Sequence, residues 1–174
     1  MPGGWSTAVE EAIKGELTGY KPKEFKQVYF EEVSEGFQLP QVKLPITVTR
    51  CVYLASATRD FSPQHSNRDY AQGKSKTKDM FVNTQFNMGM VSRLITDWAG
   101  PDAFIRRLKI AMRGNVCAGD DMILDGKVTK KYQKDGANCI DLEIIIATQA
   151  GPTTPCEATV LLPSKEAATK KKAG

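Results

Sequence analysis

The sequence predicts an α+β domain, with a curved antiparallel sheet wrapped around one apolar helix. Three observations carry that prediction. A long segment repeats apolar residues every four positions. Strand-like runs follow it in succession. An Asp-Gly pair sits between two of those runs, where a hairpin needs it.

In chain order, residues 6–18 read as a helix: Thr7 and Glu10 fit a capping box, and Ala and Glu follow. "VYFEEVSEGFQLP" reads as a short strand, a turn near Gly36 and a proline stop. "VKLPITVTRCVYLASA" reads as a strand through Val48 that turns helical from Cys51 to Ala57. The helix beginning near Asn83 is the clearest element. Phe86, Met90, Leu94 and Trp98 form its stripe, Val91 and Ile95 widen it, and Gly100-Pro101 end it. With only Arg93 and Asp97 charged between Phe86 and Trp98, the helix is expected to be wrapped on most sides.

Strands follow. In "FIRRLKIAMRG", Leu108, Ile110 and Met112 share one face, and Arg107, Lys109 and Arg113 share the other. A hairpin is expected to turn at Lys134–Gly136, and "CEATVLLP" reads as a last strand. The organisation is an N-terminal extension (1–25), one domain (26–163) and a lysine-rich tail (164–174).

Composition narrows the function classes. The net charge is +4, of which the tail's four lysines and one glutamate supply +3. With only +1 left on the body, the case for nucleic-acid binding is weak, and the tail reads as solvated. No signal peptide and no membrane insertion are expected, which gives a cytoplasmic reading. Cys51, Cys117, Cys139 and Cys156 form no C-x-x-C pair, and His65 is the single histidine. Buried free thiols are expected, and no metal site.

That histidine lies in "TRDFSPQHSNRDYA", five residues after Asp60, with Pro63 between them. Alone, each is an ordinary loop residue. Together, a rigid turn brings a carboxylate to an imidazole, a pair able to activate water. The stretch resembles the motif of MaoC-like (R)-specific enoyl-CoA hydratases of the hotdog fold, Gly-Asp-x-Asn-Pro-x-His-x-Asp. Asp60, Pro63 and His65 match it. Arg59, Ser62 and Asn67 stand where the family usually has Gly, Asn and Asp. The order of elements over residues 26–163 is similar too, and "TDWAGP" resembles catalytic subunits of two-component steroid side-chain hydratases.

The resemblance implies a hydro-lyase in which Asp60 and His65 activate one water toward a trans-2-enoyl-CoA. It implies an oxyanion donor at the start of the central helix, near Asn83 and Thr84, with Ser62 also orienting substrate. Coenzyme A is part of the substrate, and no separate cofactor is expected. Arg107, Lys109 and Arg113 are candidates for its phosphates, with Lys74, Lys76 and Lys78 as a second cluster. A homodimer, or a heteromer with another hotdog subunit, is implied. The alternatives are a subunit acting with a second hotdog chain on a bulky acyl-CoA, an acyl-carrier-protein dehydratase, and a thioesterase.

Overall fold

The computed structural model describes residues 26–166. The helix read at residues 6–18 and most of the lysine-rich tail lie outside the described residues. Five strands form one antiparallel sheet: β1 (Val42–Pro45), β2 (Phe104–Ile110), β3 (Asp121–Lys134), β4 (Ala137–Thr148) and β5 (Gly151–Leu161), in the order β1-β3-β4-β5-β2. Three helices accompany it: α1 (Val48–Thr58), α2 (Arg68–Gly73) and α3 (Thr84–Ala99).

The sheet follows from alternation. Met122, Leu124 and Val128 of β3, Ile140, Leu142, Ile144 and Ile146 of β4, and Cys156, Ala158 and Val160 of β5 are all buried. They face α3, whose Met90, Val91, Leu94, Ile95, Trp98 and Ala99 complete the core. At Gly126 the layers come closest: a Cβ there would meet Ile144 at 3.1 Å and Leu94 at 3.4 Å. The β3–β4 turn is at Asp135-Gly136, both left-handed at φ 51° and 74°, as a two-residue hairpin demands.

Four expectations are corrected. "VYFEEV" forms a 3-10 turn at Phe30–Glu32 rather than a strand, because the Glu32 carboxylate takes the Tyr29 N–H at 3.0 Å and closes the turn. The turn near Gly36 is present, and "GFQLP" runs along β3, with Gln38 bridged to Lys127 and the Leu39 N–H on Gly126 O at 2.8 Å. β1 stops at Pro45, and α1 starts at Val48 instead of Cys51. Thr47 is the N-cap, its hydroxyl accepting the Arg50 N–H at 3.1 Å. β2 ends at Ile110, so Met112 lies past the strand.

α3 is not wrapped on most sides in this chain. Thr84, Gln85, Met88, Gly89, Arg93 and Thr96 are exposed along one face. The tail is also less free than its composition predicts. Lys165 pairs with Glu32 at 2.9 Å and gives its N–H to Glu31. All four cysteines are buried and unpaired, and burial pushes the Cys51 and Cys156 thiols up to about 11. No helix among the described residues is long and apolar enough to cross a membrane.

Candidate active site

The site is built where α1 gives way to the Asp-x-x-Pro-x-His turn. Arg59 takes the chain out of α1 at φ 57° and ψ 26°, and its N–H meets the Ala55 and Ser56 carbonyls. A side chain in this left-handed region is crowded at a cost of about 1–2 kcal/mol. That cost is the physical reason for the glycine usual at this place in the motif. Asp60 follows, its N–H on Ala55 O at 3.0 Å.

Pro63 then opens a 3-10 turn that ends at His65. Its carbonyl accepts the Ser66 and Asn67 N–H groups at 3.1 and 2.7 Å. Asn67 caps α2 by accepting the Tyr70 N–H at 2.9 Å. Asparagine and aspartate cap equally well, so the departure at Asn67 leaves the turn intact.

The turn brings His65 Nε2 to 3.3 Å from Asp60 Oδ2. His65 is only 5% exposed, and its ring stands edge-on to Phe81 with centroids 4.9 Å apart. Its Nδ1 lies 2.7 Å from the Phe81 carbonyl oxygen. A carbonyl only accepts, so Nδ1 carries a hydrogen. Nε2, the other ring nitrogen, faces the Asp60 carboxylate. A carboxylate and an imidazole so placed form a pair able to hold and activate a water molecule.

Asn83 ties this pair to α3. Its Oδ1 accepts the Phe86 N–H at 3.0 Å, capping the helix. Its Nδ2 donates to Thr58 Oγ1 at 2.6 Å and to Asp60 Oδ2 at 3.3 Å. The Ser62 N–H reaches Asp60 Oδ1 at 3.4 Å. With Phe86 satisfied by the cap, the Thr84 and Gln85 N–H groups are the first-turn donors that the helix geometry leaves open. They lie next to the residue that holds Asp60.

No family model matches the chain. The 3-oxo-4,17-pregnadiene-20-carboxyl-CoA hydratase beta subunit of Mycobacterium tuberculosis is 40% identical over 94 residues, covering 54% of this chain and 72% of that one. A chain of the ChsH1-ChsH2 complex from the same organism is 32% identical with a TM-score of 0.67, over 74% of this chain and 98% of that one. This chain belongs to the MaoC-like hydratase family. An unliganded (R)-hydratase from Pseudomonas aeruginosa shares the MaoC-like hotdog fold at a TM-score of 0.71 and 19% identity, over 80% of this chain and 88% of that one. A MaoC-like dehydratase from Rhodospirillum rubrum does so at 0.70 and 12%, over 79% and 98%. The family and fold read from "TRDFSPQHSNRDYA" are borne out.

The structure gathers Asp60, His65, Asn83 and the Ser62 N–H at one place in this MaoC-like chain. Thr84 adjoins them, but its hydroxyl points to Met112 Sδ, 2.9 Å away. Arg107 and Lys109 are not gathered there. They face outward across the sheet, opposite Thr159 and Glu157, and Lys109 lies 3.8 Å from the Glu157 carboxylate. Arg113 follows Met112 and lines an outer groove of about 530 Å³. Lys109, Arg113 and Lys127 share that groove with Asp125, Glu143 and Glu157, so its formal charges balance. Lys78 is paired with Asp120 at 2.6 Å, whereas Lys74 and Lys76 are exposed beside the turn.

Sequence reasoning missed Thr58, the Phe81 carbonyl and Asn87. Thr58 is two residues before Asp60 and closes the network behind it. A backbone carbonyl leaves no trace in a sequence. Asn87 could have been found, because it is a polar residue four positions after Asn83 inside the apolar register of α3. It is fully buried, and its Oδ1 has no hydrogen-bond partner among the described residues. Such a group costs a fold about 1–3 kcal/mol.

Proposed function

We propose that this protein adds water across the double bond of a trans-2-enoyl-CoA, giving a 3-hydroxyacyl-CoA, and that it does so with a second hotdog chain. The observation that carries this reading is the Asp60–His65 pair, with Nδ1 fixed by the Phe81 carbonyl and Nε2 facing the carboxylate. One water bridges Oδ2 and Nε2. Its oxygen bonds to C3 of the enoyl group as one proton passes to the pair. Electron density moves to the thioester oxygen, where the open N–H groups of α3 and the positive end of its dipole stabilise it. The proton then returns at C2. One water is consumed, the pair is regenerated, and the reaction so written uses no cofactor.

The second chain is favoured by the surface beside the pair. Phe61, next to Asp60 in the chain, and Tyr53, on α1, are both 70% exposed. Aromatic side chains so placed fit a cover supplied by a partner or by a bulky acyl group. The related complex and the curated beta subunit, named for a steroid acyl-CoA, support the same reading.

The test is hydration of a panel of linear and ring-bearing trans-2-enoyl-CoAs, followed by loss of the conjugated-thioester absorbance. The chain is assayed alone and with a second hotdog subunit. Hydration that appears or rises sharply with the partner is expected. Release of free CoA without hydration would replace this reading with a thioesterase.

A further inference from the structure

Asn87 lies one helical turn beyond Asn83 on α3, so the two side chains are neighbours about 5–6 Å apart at Cβ. Asn83 touches Asp60. Asn87 touches nothing that satisfies it. Its Nδ2 reaches only the Met112 thioether, a weak acceptor, at 3.7 Å, and its Oδ1 has no partner among the described residues. Its apolar neighbours on the helix, Met90, Val91 and Leu94, show what the fold itself asks of a buried position there. A leucine at 87 would suit that core without an orphaned amide. The amide sits there at a cost to packing, and a buried unsatisfied group of this kind calls for a functional explanation.

Met112 covers it. The ladder beyond β2 continues through the Ala111 N–H on Pro155 O and the Arg113 N–H on Thr153 O, both 3.0 Å, which sets Met112 between them. Its sulfur takes the Thr84 hydroxyl at 2.9 Å as well as the Asn87 amide. Met112 is itself 37% exposed. An unbranched thioether rotates readily, which suits Met112 to be a removable cover between the surface at Thr84 and the amide below.

We infer that Asn87 is a specificity-determining residue: with Met112 swung aside, its carboxamide receives a hydroxyl carried on the acyl part of the substrate, a few bonds inward from the reacting carbons. A hydroxyl is the group that answers both ends of the amide. It donates to Oδ1 and accepts from Nδ2. A purely hydrocarbon chain would leave both unpaired, and a site built to bond a hydroxyl discriminates strongly against its absence. This rests on the acyl-CoA reading above.

The experiment measures binding rather than turnover, so that the two readings fail separately. Dissociation constants are taken by calorimetry for octanoyl-CoA and for its analogues hydroxylated on one of the last three carbons. Wild type and Asn87→Leu are compared, each in the assembly that wild type forms. Wild type is expected to bind at least one hydroxylated analogue roughly tenfold or more tighter than octanoyl-CoA. Asn87→Leu is expected to lose or reverse that preference while melting above wild type. Should Asn87→Leu fail to fold, Asn87→Ala reads the same ratio. Equal affinities for all four ligands in wild type, or an unchanged preference in the variant, overturn the inference. Hydration of the matching enoyl-CoAs is followed in parallel. Preference without hydration would remove the hydratase reading and leave the role of Asn87 standing; hydration without preference does the reverse.

Discussion

The two ends of α3 bury different chemistry. Leu94, Ile95 and Trp98 in the C-terminal half face the sheet with apolar groups. Asn83 and Asn87 at the other end are just as hidden and carry amides. The first half is what folding alone would choose, since apolar burial drives it. The other end places amides in buried positions: Asn83 bonds Asp60, and Asn87 lies against Met112 with its Oδ1 unpartnered among the described residues. One element therefore serves as the keel of the sheet at one end and as a wall of the site at the other. Stability and activity should separate along its length.

The largest effect that separates them belongs to the apolar end. Leu94→Ala should lower unfolding free energy by about 2–5 kcal/mol, the range for a buried leucine. Urea denaturation measures it, and kcat per folded molecule should stay within a fewfold of wild type. A catalytic loss larger than the folding loss would mean the two ends are not independent.

Asn83 comes next and splits in two. Asn83→Ala removes the cap, at about 0.5–2 kcal/mol. Asn83→Ser keeps a capping oxygen but deletes the amide donor to Thr58 and Asp60. The serine variant should therefore melt near wild type and still lose about tenfold or more in kcat. If it retains full activity, Asn83 is only a cap.

Arg59→Gly should act in the opposite direction. Relief of the left-handed strain is partly offset by a more flexible unfolded chain, leaving a gain of about 0.5–1 kcal/mol. Thermal melting checks it, with kcat unchanged. The smallest effect concerns residues 167–174. Deleting them while keeping Lys165 and its Glu32 partner should leave both melting temperature and hydration as they were. A fall of several degrees would mean the tail docks.

Legibility divides along the same line. The apolar end of α3 was readable because Met90, Leu94 and Trp98 repeat at the helical period. The Asp135-Gly136 hairpin was readable because few residue pairs adopt two left-handed conformations in a row. Asp60, Pro63 and His65 were readable because they are close in sequence and match a motif. What escaped depends on distant parts of the chain. The Phe81 carbonyl that fixes the His65 ring is backbone. Met112 meets Thr84 and Asn87 only after the strands assemble. Arg107 and Lys109 had the right charge for phosphate, but the register of β2 against β5 turns them away from the pair. The start of α1 was misplaced because Val48 and Val52 look strand-like, whereas the decisive residue was the cap at Thr47.

The central claim is that Asp60 and His65 act as one unit on one water, and a double-mutant comparison tests it most directly. Asp60→Asn, His65→Ala and the double variant are assayed for kcat on a trans-2-enoyl-CoA that wild type hydrates, with circular dichroism to establish folding. Each single change should lower kcat by about 10²–10⁴-fold, the range for a positioned acid or base. The double variant should be hardly slower than the worse single, because groups that act together are not additive. A well-folded single variant that keeps more than about a tenth of wild-type kcat, or a double variant whose loss is the product of the two singles, would contradict the account.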